Sequence, residues 1–199
     1  MRTARKIGLG VWLCLSVACS PRDFLTRRLA AVLISASAVF QEPQVYWLKT
    51  DIVSNKEFNS PDSLVLQRRG WIIGTQAACP PGVDPPPCWD VVLSPAGVEI
   101  FQPLLGRPVP AGKVAEVQVA RRELAGITGI SKAGNFADVE FVWHWVPLND
   151  VGKALYDSGV LYRSTVAFRS YDDGWRGMVE PVRSNQSLED ALRNTQPVP

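Results

Sequence analysis

The sequence predicts an α+β fold. It has an N-terminal helix, a small unit in which two helices flank a β-hairpin, and a C-terminal antiparallel four-stranded sheet with one short helix inserted. Three observations carry this. Over residues 22–40, Leu25, Leu29, Val32, Leu33, Ala36 and Phe40 recur at helical spacing. Residues 61–105 alternate helical and extended patterns around the proline-rich stretch CPPGVDPPPC. From residue 114 onward the apolar period shortens to two, and Asp172-Asp173-Gly174 supplies a hairpin turn. With 199 residues, 46% hydrophobic and 20% charged, the chain can bury a real core as one ordinary domain or two small ones.

The elements follow in order. Arg27 and Arg28 begin the polar side of the first helix. That helix packs on the core or lies on a membrane surface. Its Arg27-Arg28 pair before an apolar stretch ending SASA also gives it a second, signal-like reading. QVYWLKTDIV is one extended piece, followed by a polar turn. SPDSLVLQRRGWIIG predicts a helix over 61–67 and a strand over 71–75. WDVVLSPAGVEIFQPLL predicts a strand over 89–93 and a helix over 95–105, with Ser94 as N-cap and Pro95 in the first turn. GRPVPAGK, residues 106–113, is rich in proline and glycine and is the best internal boundary. It separates a half spanning 19–105 from a β-rich half spanning 114–180, although the two can still form one compact domain. In the second half, 114–130 predicts one long or bulged strand, SKAGNF the turn, and 137–146 the returning strand. Asn149 caps a helix over 150–156, and 161–171 and 175–179 form a second hairpin. The tail, 181–199, holds about one helical turn over 187–193 and frays beyond it.

The first residues, MRTARKIGLGVWLCLSVACS, carry Arg2, Arg5 and Lys6, then an apolar run of twelve residues ending at Ala18. A membrane-spanning helix needs about 20. A basic head, a short apolar core and small residues at its end describe a signal peptide over 1–18. The ending Leu15-Ser16-Val17-Ala18-Cys19 resembles the lipobox of bacterial lipoproteins, in which a small residue precedes a cysteine that becomes the lipidated first residue. Ala18 and Val17 fit. Ser16 departs from the pattern, since the family usually has an aliphatic residue there and Leu15 lies one position early. A soluble secreted protein cut nearby and an uncleaved anchor are the alternatives. The resemblance implies export, a membrane anchor through lipid on Cys19, and, because Ser20 follows, the periplasmic face of the outer membrane. The whole chain looks like a small bacterial lipoprotein.

Removing 1–18 takes away three positive charges and no acid. Lys+Arg falls from 21 to 18 against 19 Asp+Glu, so the net charge goes from +2 to −1. The mild basicity belongs to the targeting segment, which removes the electrostatic case for a nucleic-acid partner. Of four cysteines, Cys14 leaves with the signal and Cys19 takes the lipid. Cys79 and Cys88 remain, an even pair in an exported chain, where disulfides persist. Two cysteines and one distant histidine do not make a four-ligand metal site. The spacing is not the Cys-x-x-Cys of thioredoxin-like redox centres. The pair reads as a structural disulfide closing the tip of the first hairpin, worth about 2–3 kcal/mol by loop entropy. Its prolines cannot feed a central ladder, so the tip projects.

The order helix, strand, loop, strand, helix, with Leu64, Leu66, Gly70 and LSPAG, resembles the wing region of winged-helix proteins over about 45 residues. Export and the mature charge argue against DNA binding, so the resemblance implies a structural module. In ADVEFVWHWV, alternation puts Val139, Phe141, Trp143 and Trp145 on one face. That face is either core or the wall of an apolar pocket, as in the cone-shaped NTF2-like and cystatin-like folds. AFRSYDDGWR is similar to the closing hairpin of NTF2-like proteins. His144, the one histidine, falls on the opposite face with Glu140, where the two are a candidate acid–base pair. No nucleophile elbow accompanies it, and there is no phosphate-binding glycine loop or metal-ligand cluster. No cofactor is expected. The sequence thus supports a non-enzymatic, lipid-anchored envelope protein that binds or scaffolds a partner. The alternatives are a binder of a small apolar ligand through Phe141, Trp143 and Trp145, and a hydrolase-type enzyme using His144.

Overall fold

The computed structural model describes residues 24–81, 86–106, 114–177 and 187–198. The signal segment, Cys19, positions 107–113 of the predicted boundary, the end of the strand predicted over 175–179 and the first residues of the tail lie outside the described residues.

The first helix, α1, spans Arg27–Ser35 and is capped by Thr26, whose hydroxyl accepts from the Leu29 N–H at 3.1 Å. It does not run unbroken to Phe40 as the spacing predicted. Ser37 Oγ donates to the Ile34 carbonyl at 2.5 Å, competing with the helical ladder, and a separate turn, α2, occupies Ala38–Gln41. The extended piece after it is also two elements. These are β1 (Gln44–Lys49) and β2 (Asp51–Ser54). Asp51 takes φ 81°, a left-handed conformation that non-glycine residues seldom adopt, and the strands part company there. The expected polar turn is a helix, α3 (Asn55–Phe58). Ser54 and Glu57 cap it reciprocally, through Ser54 Oγ from the Glu57 N–H and the Glu57 carboxylate from the Ser54 N–H.

Then come α4 (Pro61–Arg68), β3 (Ile72–Ala77), β4 (Cys88–Leu93) and α5 (Pro95–Leu105). Ser60 and Ser94 cap the two helices, each followed by proline at the first position, where its missing N–H costs nothing. Antiparallel pairing in the order β2-β4-β3 makes a three-stranded sheet.

The remaining elements are β5 (Val114–Ala133), β6 (Phe136–Pro147), α6 (Asp150–Leu155), β7 (Leu161–Tyr171), β8 (Gly174–Gly177), α7 (Leu188–Arg193) and β9 (Gln196–Pro197). The protein is therefore mixed helix and strand with an antiparallel curled sheet. That sheet has six strands rather than the predicted four. Its path is β1-β5-β6-β7-β8, with β9 also on β7. β1 arrives from the first half of the chain and pairs with β5 from Gln44↔Ala120 to Lys49↔Val114. The tail does not simply fray, because Tyr162↔Pro197 and Arg163↔Gln196 pair. Pro197 is tolerated at this sheet margin because its absent N–H is not needed by an inner ladder.

Two buried clusters hold these layers. One gathers Ala30, Ile34 and Phe40 from α1 and α2 against Val139, Phe141, Trp143, Val166, Phe168 and Trp175. The other gathers Leu48, Val53, Leu66, Val91, Phe101, Val117, Val119 and Val151. A bulge in β5 opposite Gln44 and Val45 lets the consecutive residues Val119 and Ala120 both be fully buried, so one long strand serves both clusters. Trp145, packed on the first cluster, meets Tyr156, packed on the second, at 4.6 Å between ring centroids.

One packing device occurs twice. Ser94 N donates to the Trp71 carbonyl (3.0 Å), Ser94 Oγ caps Gly97, and a Cβ on Gly97 would stand 1.9 Å from that same carbonyl oxygen. Leu148 N donates to the Val119 carbonyl (2.9 Å), Asn149 Oδ1 caps Gly152, and a Cβ on Gly152 would stand 1.8 Å from that oxygen. In both, the first turn of a helix lies directly on a strand-side carbonyl, which only glycine permits.

Candidate functional site

Cys79 and Cys88 are joined in a disulfide, with Cα atoms 5.1 Å apart. It closes the β3–β4 hairpin from Cys88, in the last pair Ala77↔Cys88, to Cys79 two residues past Ala77. The hairpin tip expected from the prolines is where the bond lies, and its residues 82–85 lie outside the described residues.

The aromatic face of β6 is packed rather than open. Phe141 is fully buried and meets Phe40 edge-on at 6.2 Å, which places α2 over the wall. Trp143 stacks on Tyr162 at 4.9 Å and donates from Nε1 to Ser164 Oγ at 3.1 Å. Ser164 passes the chain on to Thr195 Oγ1 (3.1 Å), which donates to the Arg163 carbonyl (3.0 Å). The Arg122 guanidinium lies 4.5 Å from the Trp145 ring centroid and 5.7 Å from that of Trp143, and donates to the Val39 carbonyl at 3.0 Å. Burial pushes its pKa down, opposed by Tyr156 and Glu189. The two rings face this half-buried cation.

His144 and Glu140 share the opposite face but do not meet. Four residues along a strand span about 13 Å. Glu140 accepts from Thr128 Oγ1 at 2.7 Å and pairs with Arg163 at 3.8 Å. His144 sits between Glu123 and Leu161, half-buried, and its Nδ1 has no hydrogen-bond partner among the described residues. The strand spacing that put both on one face is the same spacing that keeps them apart. Among the described residues no three His, Cys, Asp or Glu side chains gather to hold a metal.

Two cavities stand out, and neither is lined by Phe141, Trp143, Trp145 or His144. The first, about 410 Å³, is mostly apolar, with Arg176 and Glu189 also in its lining. It lies on the same sheet face as the β6 aromatics but one strand over, between Leu33, Ile34 and Val39, Val166 and Phe168, and Leu188.

The second, about 390 Å³, is a groove beside β1. Gln44, Val45, Tyr46, Trp47 and Lys49 line one side, and Glu57, Phe58, Ser60, Asp62 and Ser63 of the α3–α4 corner line the other. Tyr156, Val53, Ile72 and Val91 close its floor. Consecutive strand residues point to opposite faces, so a cavity touching Val45, Tyr46 and Trp47 in succession runs along the strand's edge and not over one face. Burial raises the Tyr46 pKa to about 12; the Ser63 hydrogen bond opposes the rise and Asp62 adds to it. Tyr156 is raised for the same first reason, with Asp62 adding and Arg122 opposing. Lys49 and Glu57 pair across the rim, and that hydrogen bond holds the Glu57 carboxyl below its usual range. Both are nearly half exposed, so the pair contributes little stability. Among the described residues no lysine or arginine pairs with Asp62. Trp47 is 52% exposed, an unusual state for a tryptophan.

This groove escaped the sequence reading because its two walls come together only when β1 crosses to β5. One local signal was available. Ser54-x-x-Glu57 is a capping box, and it marks the helix that forms the facing wall. No family model, curated protein or solved structure matches this chain.

Proposed function

We propose that this is a non-enzymatic protein of the cell envelope, exported, held to a membrane by lipid on Cys19, and acting by binding or scaffolding a partner. One observation carries the reading. The two cysteines left once Cys14 goes with the signal segment and Cys19 takes the lipid form a disulfide at a hairpin tip, and such bonds persist in oxidising compartments outside the cytoplasm. The lipobox-like ending at Ala18-Cys19 supplies the anchor, and Ser20 after it favours the outer membrane facing the periplasm. The separation of His144 from Glu140 and from both cavities leaves the hydrolase reading without an assembled acid–base pair. The unit from Pro61 to Leu105 is read as winged-helix-like and structural, stiffening the β1 groove and not contacting DNA.

The test is metabolic labelling with a radiolabelled fatty acid, comparing the full chain with Cys19→Ser. Label on the wild type that is lost in C19S supports the anchor. An unlabelled wild type overturns it.

A second reading, a periplasmic carrier of a small apolar ligand, is favoured by the 410 Å³ cavity of Leu33, Ile34, Val166 and Phe168. Volume and lining suit such a ligand, although the walls are not the β6 aromatics first expected. Saturable binding of an apolar fluorescent probe, abolished by Ala38→Trp at an exposed position of the lining with stability unchanged, tests it.

A further inference from the structure

We propose that the free edge of β1 is a docking site for an extended peptide bearing a lysine or arginine, which adds to the large sheet as a further strand. This deepens the partner-binding reading and rests on it only for the existence of a partner, since anchoring through Cys19 plays no part.

The backbone makes the first case. β1 ends the sheet path, paired to β5 on one side, and among the described residues no strand pairs with its other side. Backbone N–H and C=O groups along such an edge need partners, and water or an added strand supplies them. The groove runs beside this edge from Gln44 to Lys49, about 16 Å at strand rise. Added strands of this kind draw affinity from main-chain hydrogen bonds and selectivity from pockets for alternate side chains.

The walls choose the occupant. The α3–α4 corner stands across the groove from β1, so the edge is recessed. A second folded copy would have to bring its own sheet edge into that recess against the same corner, whereas a single slender strand fits. Inside, Tyr46, Phe58, Trp47 and Tyr156 offer aromatic surface for the peptide's apolar positions. The charge is one-sided. Lys49 is taken by Glu57, while Asp62 faces the groove without a cation. A lysine or arginine on the incoming strand satisfies it, and an acidic residue there is repelled.

The experiment uses the full chain, isolated in mild detergent from whichever cell fraction holds it, and a capped peptide of sequence TVKVTV. Binding is followed by anisotropy of labelled peptide and by amide hydrogen exchange. The proposal expects saturable binding with slowed exchange at residues 44–49. It expects TVEVTV to bind about tenfold more weakly, a difference of one oppositely signed contact. Asp62→Asn should shrink that preference to less than about threefold. Two N-methylated versions of TVKVTV, blocked on alternate residues, should separate. The one blocked on the edge facing β1 should lose binding and the other keep it, without any change to the protein. No binding, unchanged exchange at 44–49 in bound protein, equal binding of both methylated peptides, or a lysine preference that survives D62N would each overturn the proposal. None of these results bears on fatty-acid labelling of Cys19, so the two readings fail separately.

Discussion

Gly152→Ala removes the contact that seats α6 on β5. The added Cβ would stand 1.8 Å from the Val119 carbonyl oxygen, 2.9 Å from its carbon and 3.4 Å from Pro147 Cα. Ordinary non-bonded separations are about 3.5 Å, so roughly 1.7 Å must be made up. Every neighbour is backbone, and none can swing aside as a side chain does. The helix must lift or the strand must shift. Lifting strains the Leu148 N–H bond to the same carbonyl, 2.9 Å long, worth about 1 kcal/mol net. It also draws the fully buried Val151 out of the second cluster, at about 1–3 kcal/mol. Alanine returns at most about 1 kcal/mol through helix propensity. The net expectation is a loss of about 1–3 kcal/mol, or roughly 2–12 °C in Tm for a chain of this size. Urea unfolding followed by tryptophan fluorescence measures it. Gly126→Ala is the control, since nothing lies within 4 Å of its Cβ position, and it should stay within about 0.5 kcal/mol of wild type. A Gly152→Ala protein that unfolds with the wild type would show that α6 is not seated on β5 and that the two clusters are not joined as described.

Alkali should loosen the groove. Tyr46 has its folded pKa raised to about 12 against an ordinary value near 10, so the unfolded chain loses this proton first. Its contribution is whole below pH 10 and is lost as pH climbs from 10 to 12, about 2–3 kcal/mol over that window at 1.36 kcal/mol per unit. Tyr156 acts in the same direction. Urea unfolding at stepped pH should show the decline, and Tyr46→Phe should flatten it; a Tyr46→Phe protein with the same pH slope contradicts the assignment. Ser164→Ala leaves the Trp143 Nε1–H buried without an acceptor and should cost about 1–3 kcal/mol. Thr195→Ala, which leaves Ser164 able to accept from Trp143, should cost less, and the reverse order of stabilities would refute the relay.

Local chemistry was legible wherever it decided the structure. The 95–105 helix has the predicted bounds because Ser94 caps it, Pro95 starts it and Gly106, at φ 62°, ends it. The 161–171 strand has its predicted bounds because Asp172-Asp173-Gly174 fixes the turn after it. What the sequence hid was long-range or conformationally unusual. QVYWLKTDIV carries an unbroken extended pattern, and only Asp51 in a left-handed conformation divides it. Nothing local reports that β1 leaves its sequence neighbours for β5, nor that Gln196 and Pro197 return to β7. The candidate groove depends on the first of these pairings, so its residues were visible one by one and its geometry was not. The β6 alternation did separate Phe141, Trp143 and Trp145 from Glu140 and His144, but a face shows neither what covers it nor how far apart two of its members lie.

We propose an exported chain that begins at a lipidated Cys19 and carries the Cys79–Cys88 disulfide. Intact mass spectrometry of the protein isolated from the cell envelope, without reductant and then with it, tests both halves at once. The predicted species is residues 19–199 plus acyl groups, two hydrogens heavier after reduction. A species retaining residues 1–18, or one lacking acyl mass, or one with two free thiols before reduction, would contradict the claim.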